Sequence, residues 1–573
     1  MIKQNYSDNL KISNVRAFLV DEHPELLIAI SVITAGIGVT IALRTIDPNF
    51  LLYYGDGVSH LVIARRVFDS LTPALAQLGG VWLPMTHLML MPFVSNDFLF
   101  QTGVAGMAVS LSATAITAVA IFRIVKLQFA SSLIGMLSSL FYFLNPSVIY
   151  MGIVPMMEAL FMMFFMLSVY YVQKWYQLYM TDGDVWLQYR MILKCALAVS
   201  AACLTRYEGY ILPLGLILVI VFVYLFVKRR NRRLFKKQNS RHRLEAILSV
   251  AIIFGFIGIG SWIAWNLVIF RDPSYSFTGP YSAGVQADSR GFNQEFKLNP
   301  ALSLSVIFEV ARQMYGLPVL ITSIIGISIY LYVGARQKSL FFHLLTIIIL
   351  MTPILADFAA MIQGSGEIYP TGGESWFNGR YLMFIAPLLA FGAGSMVAFI
   401  RRKKKESLTI LVVVLIAASY IYTFASQSFA IGEAVALNDL ALLPLNSGAQ
   451  VAFETGVNLN RLYQQGNIVA FLRSSDGHSI MLSSHLPLKN FIDVANGQYW
   501  DISKQSPWIY GDYVITEKKV NATTSIGFEG DPSEDVIDYW HANRSTLMKH
   551  YDMIYENERF EILKRKYADQ TPS

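Results

Sequence analysis

Charged residues are scarce in this chain. Only 15% of its 573 residues are Asp, Glu, Lys or Arg, whereas soluble domains carry about a quarter. The scarcity excludes an ordinary soluble domain, because 54% of the chain is hydrophobic and its apolar runs reach about twenty residues, the length of a membrane helix. We therefore expect an integral membrane protein.

Cysteine is scarcer still. The two cysteines, Cys195 and Cys203, lie in one predicted helix, which excludes a disulfide framework and indicates packing residues. We also expect no cleavable signal peptide, because the N-terminal segment is polar and no small-residue cleavage site follows the first apolar run. That run is predicted to be a retained span.

The apolar runs predict about eleven spans. They lie near residues 26–43, 102–124, 131–150, 156–173, 191–205, 210–227, 246–270, 316–334, 340–362, 381–400 and 408–425. The predicted fold class is mainly α, a polytopic transmembrane helical bundle.

Two basic runs predict the orientation of the bundle. One extends from Lys228 to Arg243 and the other from Arg401 to Lys405, and both are expected to be cytoplasmic by the positive-inside rule. An even number of predicted spans separates the two runs, so both lie on the same side of the membrane and predict the same orientation. We predict a plasma-membrane protein with a cytoplasmic segment 1–25, and these runs indicate orientation and lipid contact rather than nucleic-acid binding.

The chain changes character after the last span. Residues 26–428 form the predicted membrane module, with a large first external loop at 44–100, whereas 429–573 carry no membrane-length run. Short patterned segments predict strands at 467–474, 478–484 and 513–518, two strands within 551–566, and a helix at 536–551. We expect a small external α/β domain, with a mostly antiparallel cap as the alternative.

The stretch YYGDGVSHLVIARRVFDS, residues 53–70, is the first candidate for function. Asp56 and His60 are four residues apart, so on a helix they share one face. With Arg65 and Arg66 they describe an amphipathic segment that offers a carboxylate, an imidazole and guanidinium groups at a membrane surface. The alternative is a polar loop that joins two spans.

Further charges collect at the predicted external helix ends, where an unpaired charge is costly. Glu158 either binds substrate or favours its helix dipole, and Arg206 with Glu208 either binds substrate or forms a local ion pair. Arg380 opens a helix, where positive charge is unfavourable, so its position favours an anionic ligand.

The remaining candidates are Tyr207, Tyr281, Tyr381 and His87. Tyr281 either packs its loop or stacks on a sugar, and His87 is either a membrane-interface histidine or a substrate contact. Asp357 is an exceptional charge near an external span end. No HExxH or CxxC spacing indicates a metal site, and we predict no cofactor.

These residue types suit transfer from a lipid phosphate. A carboxylate near the bilayer surface acts as general base towards a hydroxyl, which suits Asp56. A bidentate guanidinium holds a phosphate, which suits Arg380 or Arg206.

Several segments resemble the GT-C class of polytopic glycosyltransferases, related to protein mannosyltransferases (glycosyltransferase family 39-like) and the aminoarabinose lipid A transferase. The similar segments are YYGDGVSHLVIARRVFDS, GGVWLPMTHLMLMPF, PMMEALFM, LTRYEGYILPL, DPSYSFTGPYSAG and NGRYLMFIAPL. The resemblance implies inverting transfer of a sugar from a polyprenyl-phosphate donor to a protein, lipid or glycan acceptor, with Asp56 as base. Many relatives have two adjacent acidic residues there, whereas Asp56 lies between Gly55 and Gly57, which favours metal-independent transfer.

Two other functions are considered. A transporter or flippase with an external binding domain is expected to carry polar midplane features and two-half symmetry, and the sequence shows neither. An assembly subunit of an envelope polysaccharide machine is expected to tolerate Asp56→Asn, whereas an enzyme is not.

Overall fold

The computed structural model describes residues 22–181, 183–230, 240–280, 282, 285, 296–364, 379–425, 448–518 and 533–566. The α-helices before residue 430 are α1 (Pro24–Ile46), α2 (Gly55–Arg66), α3 (Met85–Val94), α4 (Asp97–Gln101), α5 (Val104–Phe129), α6 (Ser132–Phe143), α7 (Pro146–Met151), α8 (Glu158–Met180), α9 (Val185–Cys203), α10 (Leu212–Arg230), α11 (Ser240–Phe270), α12 (Tyr275–Thr278), α13 (Pro300–Tyr315), α14 (Leu317–Arg336), α15 (Leu340–Gln363), α16 (Ala386–Arg402) and α17 (Glu406–Ala425).

Seven helical segments of the described chain are long and apolar enough to cross a membrane. The chain is therefore an integral membrane protein, and the mainly α fold class is confirmed. A helix or a helix pair lies at each apolar run listed above. The count of eleven spans stays a prediction.

The run at 131–150 forms two helices rather than one. The Asn145 side chain accepts a hydrogen bond from the Val148 backbone N–H at 3.2 Å, and Pro146 takes the first helical position. This combination starts a new helix, because proline has no N–H to continue the preceding one.

The centre of the bundle is formed by α5, α8, α9 and α16, and α16 is buried along almost its whole length. Gly326 on α14 faces α16 so closely that a Cβ would lie 1.9 Å from the Gly392 carbonyl oxygen. Small residues permit this approach, as is common between membrane helices. The 3-10 turn Gly379–Ile385, which contains Arg380, leads into α16, and α16 ends at Arg402, so the basic end of this helix is remote from the site described below.

After residue 447 the described chain forms a domain with a five-stranded sheet. Its elements are α18 (Gly448–Leu462), β1 (Ile468–Phe471), α19 (Ser474–Ser483), β2 (Phe491–Ile492), α20 (Gln498–Ser503), β3 (Tyr513–Glu517), α21 (Glu534–Ala542), α22 (Arg544–His550), β4 (Tyr551–Glu556) and β5 (Phe560–Arg565).

The sheet has the order β2-β1-β3-β5-β4 and is mixed. Strand β1 pairs in parallel with β2 and β3, and the hairpin β4–β5 joins β3 antiparallel. The predicted α/β character is confirmed, and the sheet combines two parallel and two antiparallel strand pairings. The domain boundary at 428–429 lies outside the described residues, and the predicted domain division stays a prediction.

Two local predictions in this domain are corrected. Residues 478–484 were expected to form a strand but belong mainly to α19, where Ile480, Met481 and Leu482 are all buried. A short apolar run does not distinguish a strand from a buried helix. The helix expected at 536–551 is two helices, α21 and α22, that meet at Asn543.

Helix α19 packs against α2, and the two elements share one apolar core that includes Val58, Leu61, Ile480 and Met481. Helices α20, α21 and α22 contribute to the core on the other face of the sheet. The C-terminal domain is therefore seated directly on the loop that carries Asp56.

Candidate functional site

Five charged side chains form one connected cluster at an end of the bundle. Arg380 Nη1 donates to Asp56 Oδ2 at 2.6 Å, and Arg380 Nε lies 3.9 Å from Glu158 Oε1. Arg206 Nη1 donates to the same Glu158 oxygen at 2.6 Å, and Arg206 Nε lies 3.1 Å from Glu208 Oε1. Glu158 thus bridges two guanidinium groups.

Each member comes from the start of a helical element. Asp56 lies in the first turn of α2, and Glu158 is the first residue of α8. Glu208 lies in the 3-10 turn Tyr207–Ile211, for which Arg206 is the N-cap, and Arg380 lies in the 3-10 turn Gly379–Ile385. Folding brings these elements to the same end of the bundle, as the charges at the predicted external ends had indicated.

Burial differs sharply within the cluster. The exposed fraction of the side chain is 0% for Glu158, 6% for Arg206, 12% for Arg380 and Glu208, and 29% for Asp56. Buried charges are tolerated only when they are paired. Because Asp56 has the largest exposed fraction, it is the carboxylate of the cluster that an incoming molecule reaches most easily.

Aromatic rings hold both guanidinium groups. Arg206 lies over the rings of Tyr381 and Phe384 at 5.0 and 5.1 Å, and Arg380 lies over Tyr381 and Tyr54 at 5.2 and 5.7 Å. Arg380 also donates to the Tyr54 hydroxyl at 3.2 Å. These cation–π contacts restrict the arginines beyond what their ion pairs do.

A buried histidine pair lies next to the cluster. His60 Nδ1 and His87 Nε2 are 2.9 Å apart, and the Trp82 ring packs on His60 with centroids 4.6 Å apart. Burial and the nearby charges of Arg380 and Arg206 lower the pKa of His60 to about 3, so it stays neutral. Burial also lowers the pKa of His87. Both imidazoles are therefore neutral at neutral pH, and the roles of His60 and His87 as substrate contacts stay predictions.

Tyr207 connects two loops beside the cluster. Its hydroxyl donates to the Val81 carbonyl and lies 3.4 Å from the Ser276 carbonyl oxygen. Its ring packs against Phe277 with centroids 5.5 Å apart. These contacts give Tyr207 a structural part, and its role as a substrate contact stays a prediction.

Arg65 is not part of the cluster. Its guanidinium binds Asp69 at 3.0 Å, Asp97 at 2.6 Å and the Val94 carbonyl at 2.7 Å, so it fixes the first loop internally. Tyr281, for which loop packing and stacking on a sugar are the two alternatives, lies outside the described residues.

Two residues of the site carry only a weak sequence signal. Tyr54 precedes α2 and reaches Arg380, but the sequence marks it only as an aromatic residue beside Asp56. Asp357 is a buried carboxyl on α15, a helix that contacts the 3-10 turn carrying Glu208. The single signal for Asp357 is its position as a lone charge in an apolar helix. Among the described residues no group of three His, Cys, Asp or Glu side chains is placed to hold a metal ion.

No protein-family model matches the sequence, and a comparison with curated proteins finds no match. Solved structures do match. ArnT from Cupriavidus metallidurans bound to undecaprenyl phosphate is 12% identical, with a TM-score of 0.51 over 92% of this chain and 97% of ArnT. The chain has the fold of ArnT.

The apo structure of the same ArnT gives 13% identity and a TM-score of 0.50 over 92% of this chain and 98% of that one. AglB from Archaeoglobus fulgidus, in complex with an inhibitory peptide and a dolichol-phosphate, gives 12% identity and a TM-score of 0.46 over 85% and 69%. The ArnT likeness confirms the GT-C-like fold that the sequence resemblance predicted.

Proposed function

We propose that this protein is a glycosyltransferase that moves a sugar from a polyprenyl-phosphate donor to an acceptor, at the membrane face that carries the C-terminal domain. The observation that carries the proposal is the cluster of Asp56, Glu158, Arg206, Glu208 and Arg380 at one end of the bundle. A fold shared with a protein that binds undecaprenyl phosphate supports this assignment.

Arg380 is the proposed phosphate ligand. It is the more accessible of the two arginines, and its present partner, Asp56, is the most exposed carboxylate of the cluster. A guanidinium group offers several donors in a fixed plane and binds phosphate in bidentate geometry. When a lipid phosphate arrives, Arg380 exchanges part of its contact with Asp56 for the phosphate oxygens.

Asp56 is the proposed general base. It accepts the proton of the acceptor hydroxyl, while the hydroxyl oxygen attacks the anomeric carbon of the sugar. The bond from that carbon to the phosphate oxygen breaks, and polyprenyl phosphate leaves with the electron pair. A single displacement of this kind inverts the anomeric configuration, and the enzyme contributes positioning, proton transfer and charge neutralisation.

Glu158, Arg206 and Glu208 form the support of this site. Glu158 is fully buried and touches both arginines, so it neutralises part of their charge and fixes where Arg380 can point. Arg206 fixes Glu158 by a hydrogen bond, and Glu208 fixes Arg206 in turn. Rigid support of this kind reduces the reorganisation needed when charge develops on the leaving phosphate.

Binding of undecaprenyl phosphate to the purified protein tests the proposal directly. Arg380→Gln is expected to weaken binding about tenfold or more, because it removes a charge-assisted contact of about 1.5–3 kcal/mol. Arg312→Gln is the matched control, because Arg312 is an exposed arginine that pairs with Glu309 on α13. Affinities are measured by native mass spectrometry in detergent.

Transfer is measured in parallel with a panel of undecaprenyl-phosphate hexoses and pentoses. Release of undecaprenyl phosphate that depends on Arg380 supports the transferase. Equal binding by Arg380→Gln and wild type, together with passage of the lipid across a proteoliposome bilayer, overturns it in favour of a flippase.

A further inference from the structure

Two sides of helix α2 contact different parts of the protein. Asp56 and His60 point to the membrane module, where they meet Arg380 and His87. Ser59 and Arg66, which are seven residues apart and so lie on one side of a helix, point to the C-terminal domain. The helix that carries the proposed base is therefore held between two bodies of the protein.

Arg66 is a buried cation, and within the described chain its side-chain partners all lie in the C-terminal domain. It forms an ion pair with Asp493 and lies 3.0 Å from His478 Nε2. It also approaches the Met481 sulfur at 4.0 Å. A buried guanidinium that loses its counter-ion strongly destabilises the folded protein. The docked position of α2 thus depends on the domain.

The tautomer of His478 follows from its partners. Arginine only donates hydrogen bonds, so His478 Nε2 must accept from Arg66. The proton then resides on Nδ1, which donates to the Ser59 hydroxyl at 2.8 Å. Burial and the charge of Arg66 lower the pKa of His478 well below its usual value, which agrees with a neutral ring. His478 therefore joins two residues of α2 through one neutral imidazole.

The start of the same helix lies close to both the C-terminal domain and the membrane module. Gly55 faces Ser475 of the C-terminal domain, where a Cβ on Gly55 would lie 3.5 Å from the Ser475 Cβ. Gly57 faces the membrane module, where a Cβ would lie 2.9 Å from Pro155 Cγ. Asp56 stands between these glycines. The start of α2 therefore lies between the C-terminal domain and the membrane module.

We propose that the C-terminal domain positions Asp56, with His478 and Asp493 as positioning residues that act through Ser59 and Arg66. The inference rests on the proposed function, in which Asp56 is the base. Neither residue is required to touch the donor. The domain sets the reacting geometry of α2, in addition to any part that it has in acceptor choice.

Two variants test this inference by separating turnover from binding. His478→Leu keeps much of the volume and removes both hydrogen bonds, and Asp493→Asn removes the counter-ion of Arg66. Each is expected to lower kcat about 10- to 100-fold, because a displacement of about 1 Å costs that much in rate. The Kd for undecaprenyl phosphate is expected to change less than about threefold, because Arg380 keeps its own support.

Two further variants serve as rescue and control. His478→Gln retains one acceptor and one donor, and it is expected to recover most of the lost kcat. Asp501→Asn alters a carboxylate of the same domain that is 65% exposed and pairs with Lys504, and it is expected to behave as wild type. Equal kcat for His478→Leu, Asp493→Asn and wild type overturns the inference. The inference is also overturned if His478→Gln loses as much kcat as His478→Leu.

The proposed function and this inference fail separately. If the wild type transfers no sugar from any donor of the panel, the proposed function fails. If the wild type is active and Asp56→Asn is inactive, but both positioning variants keep the wild-type kcat, only the inference fails. If either variant does not fold, hydrogen exchange on the wild type decides. Amides of α2 and α19 that open together support the coupling, and amides that open independently overturn it.

Discussion

Asp56→Asn is expected to move turnover and lipid binding in opposite directions. The substitution keeps the size of the side chain and removes its negative charge and its capacity to accept a proton. General bases contribute about 10²- to 10⁴-fold in rate, which corresponds to about 3–5 kcal/mol of activation free energy. The transfer rate is therefore expected to fall by that factor.

The affinity for undecaprenyl phosphate is expected to rise in the same variant. Arg380 is paired with Asp56 at 2.6 Å, and the Asp56 side chain is 29% exposed. Partly exposed pairs of this kind contribute about 0.5–1 kcal/mol, which a phosphate must overcome to take the guanidinium. Without the carboxylate charge, binding is expected to tighten about two- to fivefold.

The assay combines two measurements on the same preparation. Release of undecaprenyl phosphate from its sugar conjugate is followed by liquid chromatography with mass detection, and binding by native mass spectrometry. Asp97→Asn is the control, because Asp97 is a 69% exposed carboxylate in the same loop that pairs with Arg65 rather than Arg380. A transfer rate within threefold of wild type, or weaker lipid binding by Asp56→Asn, refutes the assignment.

Three predictions concern stability. Glu158→Gln leaves two buried guanidinium groups without their shared carboxylate. The free energy of unfolding, measured by SDS titration, is therefore expected to fall by about 3–5 kcal/mol. An unchanged unfolding transition would contradict the bridging role of Glu158. Burial raises the pKa of Asp476 to about 6, so the folded domain holds this proton more tightly than the unfolded chain, whose pKa is about 3.9. The protonated Asp476 therefore contributes about 3 kcal/mol to the free energy of unfolding at low pH, and this contribution is lost as the pH rises from 4 through 6. The melting temperature, followed by tryptophan fluorescence, should fall over this pH range in the wild type. The fall should be smaller in Asp476→Asn. Gly106→Val places a Cβ 2.1 Å from the Pro155 Cβ, and it is expected to lower the free energy of unfolding by about 1–3 kcal/mol. Gly38→Val is the control, because a Cβ on Gly38 meets no atom within 4 Å. It should lower the melting temperature less in the same assay.

Much of the fold was predictable because membrane helices are set by local composition. Apolar runs of sufficient length satisfy their own backbone hydrogen bonds when they form helices, so each predicted run coincides with a helix or a helix pair. The error at 478–484 has a local cause. An apolar run of that length fits a buried helix and a strand equally, and contact of α19 with α2 decided between them.

The candidate site was predictable as a set of unusual positions but not as a connected structure. Glu158, Arg206, Glu208 and Arg380 stood out because charges at span ends are costly. The local ion pair of Arg206 with Glu208 was one of the two alternatives for these residues. The contacts of Glu158 with both arginines did not follow from that argument, and neither did the contacts of Arg65 within its own loop. The roles of these residues in binding and catalysis stay predictions.

The sequence by itself determined that this is a membrane protein, where its helices run and which polar residues are exceptional. Those properties depend on neighbouring residues and on the length of apolar runs. The tertiary structure alone decided which charges meet. Asp56 and Arg380 are 324 residues apart, and Arg66 and Asp493 are 427 apart. Electrostatic pairing depends on distance in space, and many pairings of the same charges satisfy the same sequence, so only the packed helices and the docked domain select one.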